Sequence, residues 1–427
     1  MPKLTLLILQ NMHSSVTQGK KMIFSLAFKN ILKSKGRSVT TILLSTITTI
    51  FFIAYVGLTE GSRHQLIKNS VEIYTGYAHV NLKGYREDSG YDNLIENAGL
   101  IDKILTKDPS ISHYAPRFET YTLLSTKEKS VGSLVAGIIP SREKSLSKLQ
   151  SSLLKGDYLD DSDSNAIYLG SELAKRLKVD VGSEIAMVGS SIDYSIAADL
   201  LTVKGIFKTG LFEFDAQSAF VNKSYLDTIM LSDNKASYFT LYFYDNAPID
   251  KATKALQSSL DAEYEAANWK DLLSALVQAM EVDRIFDYIS ISIFFMVIFF
   301  VIMIFSYVNI FTRVREIGLL RALGLTSKDI FMMLFAEILL LATFSVLIGI
   351  LIGSSVVYYY ELHPIVIPGI AETYKDYGIV SDELPMRFDL FTIAWNALTI
   401  FVFNLAAIVY PIIKINKFKV VEAMRYV

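Results

Sequence analysis

The stretch "RVREIGLLRALGLTSKDIF", Arg313 to Phe331, lies between two strongly apolar runs and fits neither a loop nor a membrane span. Arg313, Arg315 and Arg321 make it cationic, and Ile317, Leu319, Leu320 and Leu323 interleave with them. From Thr312 to Leu323 the residues are good helix formers except Gly318. Gly324 fits the left-handed position that closes a helix, and "TSKD" (Thr326 to Asp329) is a capping box that opens the next one. The spacing therefore predicts a separate short helix, roughly 18 Å long at about 1.5 Å per residue. Its arginines place it at a membrane surface. On physical grounds alone, a snorkelling positively charged linker and a docking element fit equally well.

The surroundings explain why a membrane is expected. Of the 427 residues 52% are hydrophobic and 20% charged, with a mean hydropathy of +0.36, too apolar for an ordinary soluble enzyme. Nucleic acid is not an expected partner. The absence of cysteine removes disulfides and thiolate metal sites. The run Leu4 to Leu9 is short for a signal-peptide core and no small-residue cleavage site follows, so no cleavage is expected; Met1 and Met22 remain alternative starts.

Four segments are apolar for the ~20 residues that a hydrocarbon core requires. They are 40–58, 289–308, 330–357 (apolar from Leu334) and 390–412. The first is rich in Ser and Thr, whose hydroxyls can bond back to the preceding turn. Lys20, Lys21, Lys29, Lys33, Lys35 and Arg37 precede the first span, Arg313, Arg315, Arg321 and Lys328 follow the second, and Lys414, Lys417, Lys419 and Arg425 follow the fourth. The positive-inside rule puts all three flanks in the cytoplasm. Both termini are then cytoplasmic: segment 1–39, with a basic amphipathic helix, the connector 309–329 and the tail 413–427. The acidic loop 358–389 and the long insert 59–286 lie outside.

The insert reads as mixed α/β. "GYAHVNLKGY" (Gly76 to Tyr85), "LLTVKGIF" (Leu200 to Phe207) and "YFTLYFY" (Tyr238 to Tyr244) are rich in β-formers, and "GSELAKRLKV" (Gly170 to Val179) is helical. Leu66, Ile67 and Ile73 after span one, and Trp269, Leu272, Leu273, Leu276, Val277 and Met280 before span two, recur near helical spacing and predict stalk helices. The expected fold is an α-helical membrane protein with four transmembrane helices plus a large mixed α/β extracytoplasmic domain between the first and second.

"TRVREIGLLRALGLTSKDIF" followed by "FAEILLLATFSVLIGILIG" resembles the signature of the FtsX-like, or MacB-type, family of ABC transporter permeases. The matching positions are Arg313, Glu316, Ile317, Gly318, Arg321, Ala322, Leu323, Gly324, Glu337, Gly349 and Gly353. "GLTEGSRHQLIKNSVEIYTGYAHVNLKGY" and "GIFKTGLFEFDAQSAFV" further resemble the lipoprotein-releasing branch, the LolC and LolE type. "VVEAMR" (Val420 to Arg425) resembles the family ending, but Val420 and Val421 stand where a proline is usual. The resemblance implies that Arg313, Arg315, Glu316, Ile317, Gly318, Arg321, Ala322, Leu323 and Gly324 form a coupling helix that docks on a separate ABC ATPase, in two copies.

Other constellations are read residue by residue. Ala342, Ser345, Gly349 and Gly353 share one face of span three, and Thr41, Ser45, Thr48 and Thr49 enrich span one in small polar groups. Such residues let helices approach closely. Either the chain's own spans or a second permease could cover them, and a family of dimers favours span one at the dimer or substrate-entry seam. Glu337 falls near the inner rim of the membrane, where an ionised carboxylate needs a partner; Arg315 and Arg321 are the expected ones. The aspartates of "GDYLDDSDSN" (Gly156 to Asn165) lack calcium-loop spacing and read as a solvated turn. No P-loop, His-Glu-x-x-His or Gly-x-Ser-x-Gly motif occurs, so no catalytic or metal site is expected.

The resemblance thus implies a non-enzymatic transport subunit in the inner membrane, in contact with membrane lipids. No cofactor is expected in this chain, with ATP and Mg bound by the partner ATPase. Further implied partners are a second permease, paralogue or identical copy, a lipoprotein substrate extracted from the inner membrane, and a periplasmic carrier that receives it. Within the family, an efflux permease or a permease that activates cell-wall hydrolases is the alternative. A membrane sensor or scaffold without transport is the alternative from another class.

Overall fold

The computed structural model describes Ser25 and residues 27–244, 248–370 and 382–416. Lys20, Lys21, Lys417, Lys419, Arg425 and the "VVEAMR" ending lie outside the described residues. The chain divides into two units, one formed by residues up to 62, 282–365 and from 384, the other by 63–281 and 366–383.

The first unit is helical. It is formed by α1 (Lys35–Ser70) and α2 (Ser274–Phe311), whose residues 63–70 and 274–281 belong to the second unit, with α3 (Val314–Ala322), α4 (Ser327–Leu362) and α5 (Leu390–Asn416). Four of these, all but α3, are long and apolar enough to cross a membrane. The hydroxyls of α1 behave as their spacing predicts: Thr41 donates to Arg37 O at 3.0 Å, Thr48 to Leu44 O at 2.8 Å and Thr49 to Ser45 O at 2.8 Å. These three hydroxyls are satisfied inside their own helix, which makes them tolerable in hydrocarbon, whereas Thr46 bonds across to α4 and the buried Ser45 hydroxyl has no partner among the described residues. In α5, Asn396 and Asn404 likewise donate to Thr392 O and Ile400 O, and Pro411 lies within the helix. Phe52 of α1 stacks on Phe295 of α2 at 4.2 Å, beside Val346 of α4 and Ala397 and Ile400 of α5.

The second unit is built on a mixed sheet of ten strands. They are β1 (Ala78–Leu82), β2 (Ile111–Ser125), β3 (Ser130–Ile138), β4 (Leu153–Gly156), β5 (Ala166–Gly170), β6 (Glu184–Ser190), β7 (Ile196–Phe207), β8 (Ser218–Asn222), β9 (Tyr238–Phe243) and β10 (Tyr264–Asn268). Their order is β10-β1-β9-β2-β3-β8-β5-β7-β4, with β6 bridging β2 and β7. The long strand β2 holds the sheet together, pairing with β9 from Ile111 to Arg117 and with β3 from Phe118 to Ser125. The expected strands at Gly76, Leu200 and Tyr238 form, as does the helix Ser171–Leu177. Three apolar cores result, one around Val80, Ile101, Phe239 and Leu256, one around Phe118, Val135, Leu169, Leu201 and Val221, and one around Ile138, Tyr168, Phe207 and Phe220. Gly76, at φ +79°, opens β1, where a Cβ would come within 2.3 Å of the Thr240 hydroxyl.

Candidate functional site

Helix α3 starts because the chain turns at Thr312 and Arg313. The Thr312 hydroxyl donates to Asn309 O at 2.9 Å, and Arg313 takes the N-cap position with φ −110° and ψ 8°. From there Arg313 Nη1 donates to both carboxylate oxygens of Glu337 on α4, at 3.0 and 2.8 Å, and its Nε donates to Glu316 at 3.2 Å. Arg313 and Glu337 are 7% and 5% exposed. Burial disfavours the charge on Arg313, but Glu337 and Glu316 outweigh it and raise its pKa above the ordinary value. The expectation of Arg315 or Arg321 as the partner of Glu337 is therefore corrected. Arg315 lies on the exposed side of α3, whereas the N-cap position of Arg313 brings its side chain to α4.

The far end of α3 closes as its residues predict. Gly324 adopts φ +101°, its N–H bonds to Arg321 O at 3.1 Å and that of Leu325 bonds to Leu320 O at 3.2 Å, a Schellman closure. Thr326 and Asp329 then form the reciprocal capping box of α4, at 3.0 and 3.2 Å.

The two faces of α3 differ. Val314, Ile317 and Gly318 are buried, with Val314 and Ile317 packed against Ile330, Met333 and Leu334 of α4 and Ile408 and Ile412 of α5. Gly318 thus belongs to the packed face and does not present its backbone outward. Arg315, Glu316, Ala322, Leu323 and Gly324 are exposed, and Arg321 is half-buried. Leu319 and Leu323 stand out at 56% and 72% exposure. Leu319 was not singled out in the sequence, where it read as one of several apolar residues at helical spacing.

Beside the ion pair lies a small cavity of about 30 Å³ lined by Arg37, Thr41, Ser306, Asn309, Arg313 and Glu337, among others. Asn309 Nδ2 donates to the Thr41 hydroxyl at 3.4 Å, so Thr41 takes a partner within its own chain. The space is enough for about one water molecule.

The small-residue stripes meet each other. Thr46 donates to Ser345 O at 3.2 Å, a Cβ on Gly349 would fall 2.5 Å from Thr49 Cβ, and one on Gly353 would fall 3.2 Å from Ile53 Cβ. Ser45, Thr48, Thr49, Ala342 and Ser345 are all buried, with Thr49 and Ser345 at 0% exposure. Within one chain Thr46, Thr49 and Ile53 of α1 thus meet Ser345, Gly349 and Gly353 of α4, the own-span alternative for these stripes, while Thr41 is bonded to Asn309 of α2. Val39, Leu43, Ile47 and Phe51, one turn apart, form the exposed face of α1, each at 50% or more.

In the second unit the acidic turn is neutralised locally. Lys204 Nζ lies 3.1 Å from Asp160 and 2.8 Å from Asp163, while Asn222 Nδ2 donates to the carbonyls of Asp160 and Asp161. Among the described residues no group of three His, Asp or Glu is arranged to hold a metal. Strands β2, β6 and β7 carry exposed apolar side chains at Tyr121, Leu123, Val188, Ile196 and Leu200, with Ile196 at 83%.

Comparison with known proteins places two modules on the chain. A MacB-like periplasmic core domain matches residues 38–259 and an FtsX-like permease C-terminal domain matches residues 288–420. The lipoprotein-releasing system transmembrane protein LolC of Xylella fastidiosa strain 9a5c is 24% identical over 334 residues, 75% of this chain and 79% of that protein. The LolC protein of Neisseria meningitidis serogroup B is 22% identical over 355 residues, 79% of this chain and 82% of that protein. Among solved structures, the periplasmic region of MacB from Actinobacillus actinomycetemcomitans aligns with TM-score 0.36 and 16% identity, over 50% of this chain and 98% of that one. The extracellular domain of the Gram-positive transporter YknZ aligns with TM-score 0.33 and 15% identity, over 45% of this chain and 99% of that one.

Proposed function

Because the chain belongs to the FtsX/MacB-type ABC transporter permeases, we propose that it is the permease of a lipoprotein-releasing complex, coupling ATP hydrolysis by a separate ATPase to extraction of lipoproteins from the inner membrane. The observation that carries the coupling step is the two-sided construction of α3. Its inner face is tied to α4 by Val314, Ile317 and the Arg313–Glu337 pair, and its outer face offers Arg315, Glu316, Leu319 and Leu323. A helix fixed on one side passes a displacement of its other side to whatever it is fixed to. In this reading the ATPase pushes on Leu319 and Leu323, and the buried ion pair hands the motion to α4.

The remaining assignments follow from that role. ATP and magnesium belong to the ATPase, present in two copies, and a second permease, paralogue or identical, completes the assembly. The basic flanks face the cytoplasm and the α/β unit faces the periplasm. Lipoprotein as cargo is supported by the likeness to two LolC proteins, each along more than two thirds of its length. The exposed apolar face of β2, β6 and β7 is where a periplasmic carrier would meet the domain, since exposed apolar patches mark interaction surfaces.

The test has two arms. Copurification of an ATPase with the full chain, lost in Leu319→Asp/Leu323→Asp, supports the coupling role, and undiminished copurification rejects it. Depletion of the protein should hold mature lipoproteins at the inner membrane. Normal lipoprotein sorting together with increased sensitivity to expelled compounds would instead favour efflux, the alternative within the family.

A further inference from the structure

The α/β unit contains an open cavity of about 820 Å³ that the coupling reading leaves without a role. Six tyrosines line it: Tyr74, Tyr85, Tyr91, Tyr121, Tyr194 and Tyr238. Its volume lies in the range of pockets that hold small molecules, about 300–1,000 Å³.

Its wall carries acceptors, Glu119 foremost, beside the tyrosine hydroxyls and the guanidinium of Arg86. Glu119 Oε1 accepts from the hydroxyls of Tyr74 at 2.8 Å and Tyr238 at 2.5 Å, and no Lys or Arg among the described residues pairs with this carboxylate. The neighbouring cations are committed elsewhere. Arg117 is buried against the Tyr74 ring, 3.8 Å from its centroid, and bonds to Glu143; Arg86 bonds to Glu265 at 2.9 Å. Asn81, only 1% exposed, donates its Nδ2 to Leu82 O and Glu265, while its Oδ1 has no partner. His79 stacks on Tyr238 at 4.0 Å, and its Nε2 lies 2.7 Å from Thr75 O. That contact requires the proton on Nε2, which leaves Nδ1 as a further acceptor.

Tyr194 adds an observation of a different kind. It sits in the β6–β7 turn at φ +62°, a left-handed conformation uncommon for a side chain of this size, and is 70% exposed. Asp193 fixes the turn by accepting from the Ser191 hydroxyl at 2.5 Å and the Ser195 N–H at 3.0 Å.

We propose that this cavity binds a small organic cation, a primary or quaternary ammonium with apolar substituents. Tyr74 is already covered by Arg117 and Tyr238 by His79, so the rings of Tyr121 and Tyr194, both exposed, are the ones that attract a cation through the ring quadrupole. Glu119 supplies a carboxylate that no Lys or Arg among the described residues pairs with directly, and His79 stands nearby as an acceptor for the N–H groups of a primary amine.

The test is calorimetric titration of the full-length protein in nanodiscs with choline and with phenethylammonium, each against its uncharged carbon isostere. Saturable binding of either cation, weakened by salt and absent for the isostere, supports the site. Glu119→Gln keeps an acceptor for both tyrosine hydroxyls but removes the charge, and should weaken binding about tenfold or more. Tyr121→Leu, at a position 72% exposed and so harmless to folding, should weaken it severalfold and decides the matter if Glu119→Gln unfolds. Failure of both cations to bind, equal binding of the isosteres, or unchanged affinity in folded Glu119→Gln overturns the proposal.

Discussion

Glu337 on α4 receives both of its hydrogen bonds from a single guanidinium nitrogen, Arg313 Nη1, at the residue that begins α3. A buried pair of this kind is weak evidence of net stabilisation, but removing one member strands the other. Glu337→Ala should destabilise the protein by about 3–5 kcal/mol, whereas Arg313→Met/Glu337→Leu together should recover most of that loss. Thermal unfolding in detergent checks both, and a Glu337→Ala midpoint equal to that of the wild type would mean that the pair holds nothing. The double variant keeps the Val314 and Ile317 contacts but lacks the ionic tie between α3 and α4, so in reconstituted vesicles it should release less substrate per ATP hydrolysed than the wild type.

Thr49 and Gly349 set the closest approach of α1 to α4. Because a Cβ at position 349 would fall 2.5 Å from Thr49 Cβ, Gly349→Ala overpacks the contact and should cost about 1–3 kcal/mol. Thr49→Gly/Gly349→Ala removes the Cβ that is overlapped, so a double-mutant cycle should return a favourable coupling energy. Additive effects would show that the helices part easily at this point.

What could be read from the sequence was local. The break at Gly324, the capping box at Thr326 and the back-bonding hydroxyls of α1 depend on residues within four positions of one another, and all appear as expected. The partners could not be read. Small residues at 345, 349 and 353 mark a close-packed face, but their spacing is silent on whether the opposing helix is in the same chain. Charge spacing points Glu337 to Arg315 and Arg321, but its partner is set by a turn of backbone at Arg313. The tyrosine cavity was invisible, since its walls come from β1, β2, β9 and the β6–β7 turn, far apart along the chain.

Leu319 and Leu323 separate docking from stability. Both are exposed, so Leu319→Asp and Leu323→Asp should each change unfolding stability by no more than about 0.5 kcal/mol. Each should nevertheless reduce ATPase copurification, because a charge placed at the centre of an apolar contact leaves it desolvated and unpaired. Equal copurification by variant and wild type would move the docking surface away from α3.

His79 makes the α/β unit sensitive to acid. Burial and the nearby Arg117 charge depress its pKa from 6.5 to about 3, although the bond to Thr75 O favours the charged form. The folded protein therefore holds His79 neutral at pH values where the unfolded chain protonates it. Between these two pKa values the unfolded state binds more protons, so stability falls as pH drops, by at most about 1.4 kcal/mol per pH unit from this residue. Above pH 6.5 both states are neutral and the contribution is constant. In His79→Gln that part of the slope should vanish, leaving only the contribution of carboxylates at lower pH. Denaturant unfolding of the full chain at pH 7.5, 6, 5 and 4, chosen to bracket the ordinary histidine value of about 6.5, measures it. Parallel stability curves for wild type and variant would show that His79 titrates in the fold as it does in water.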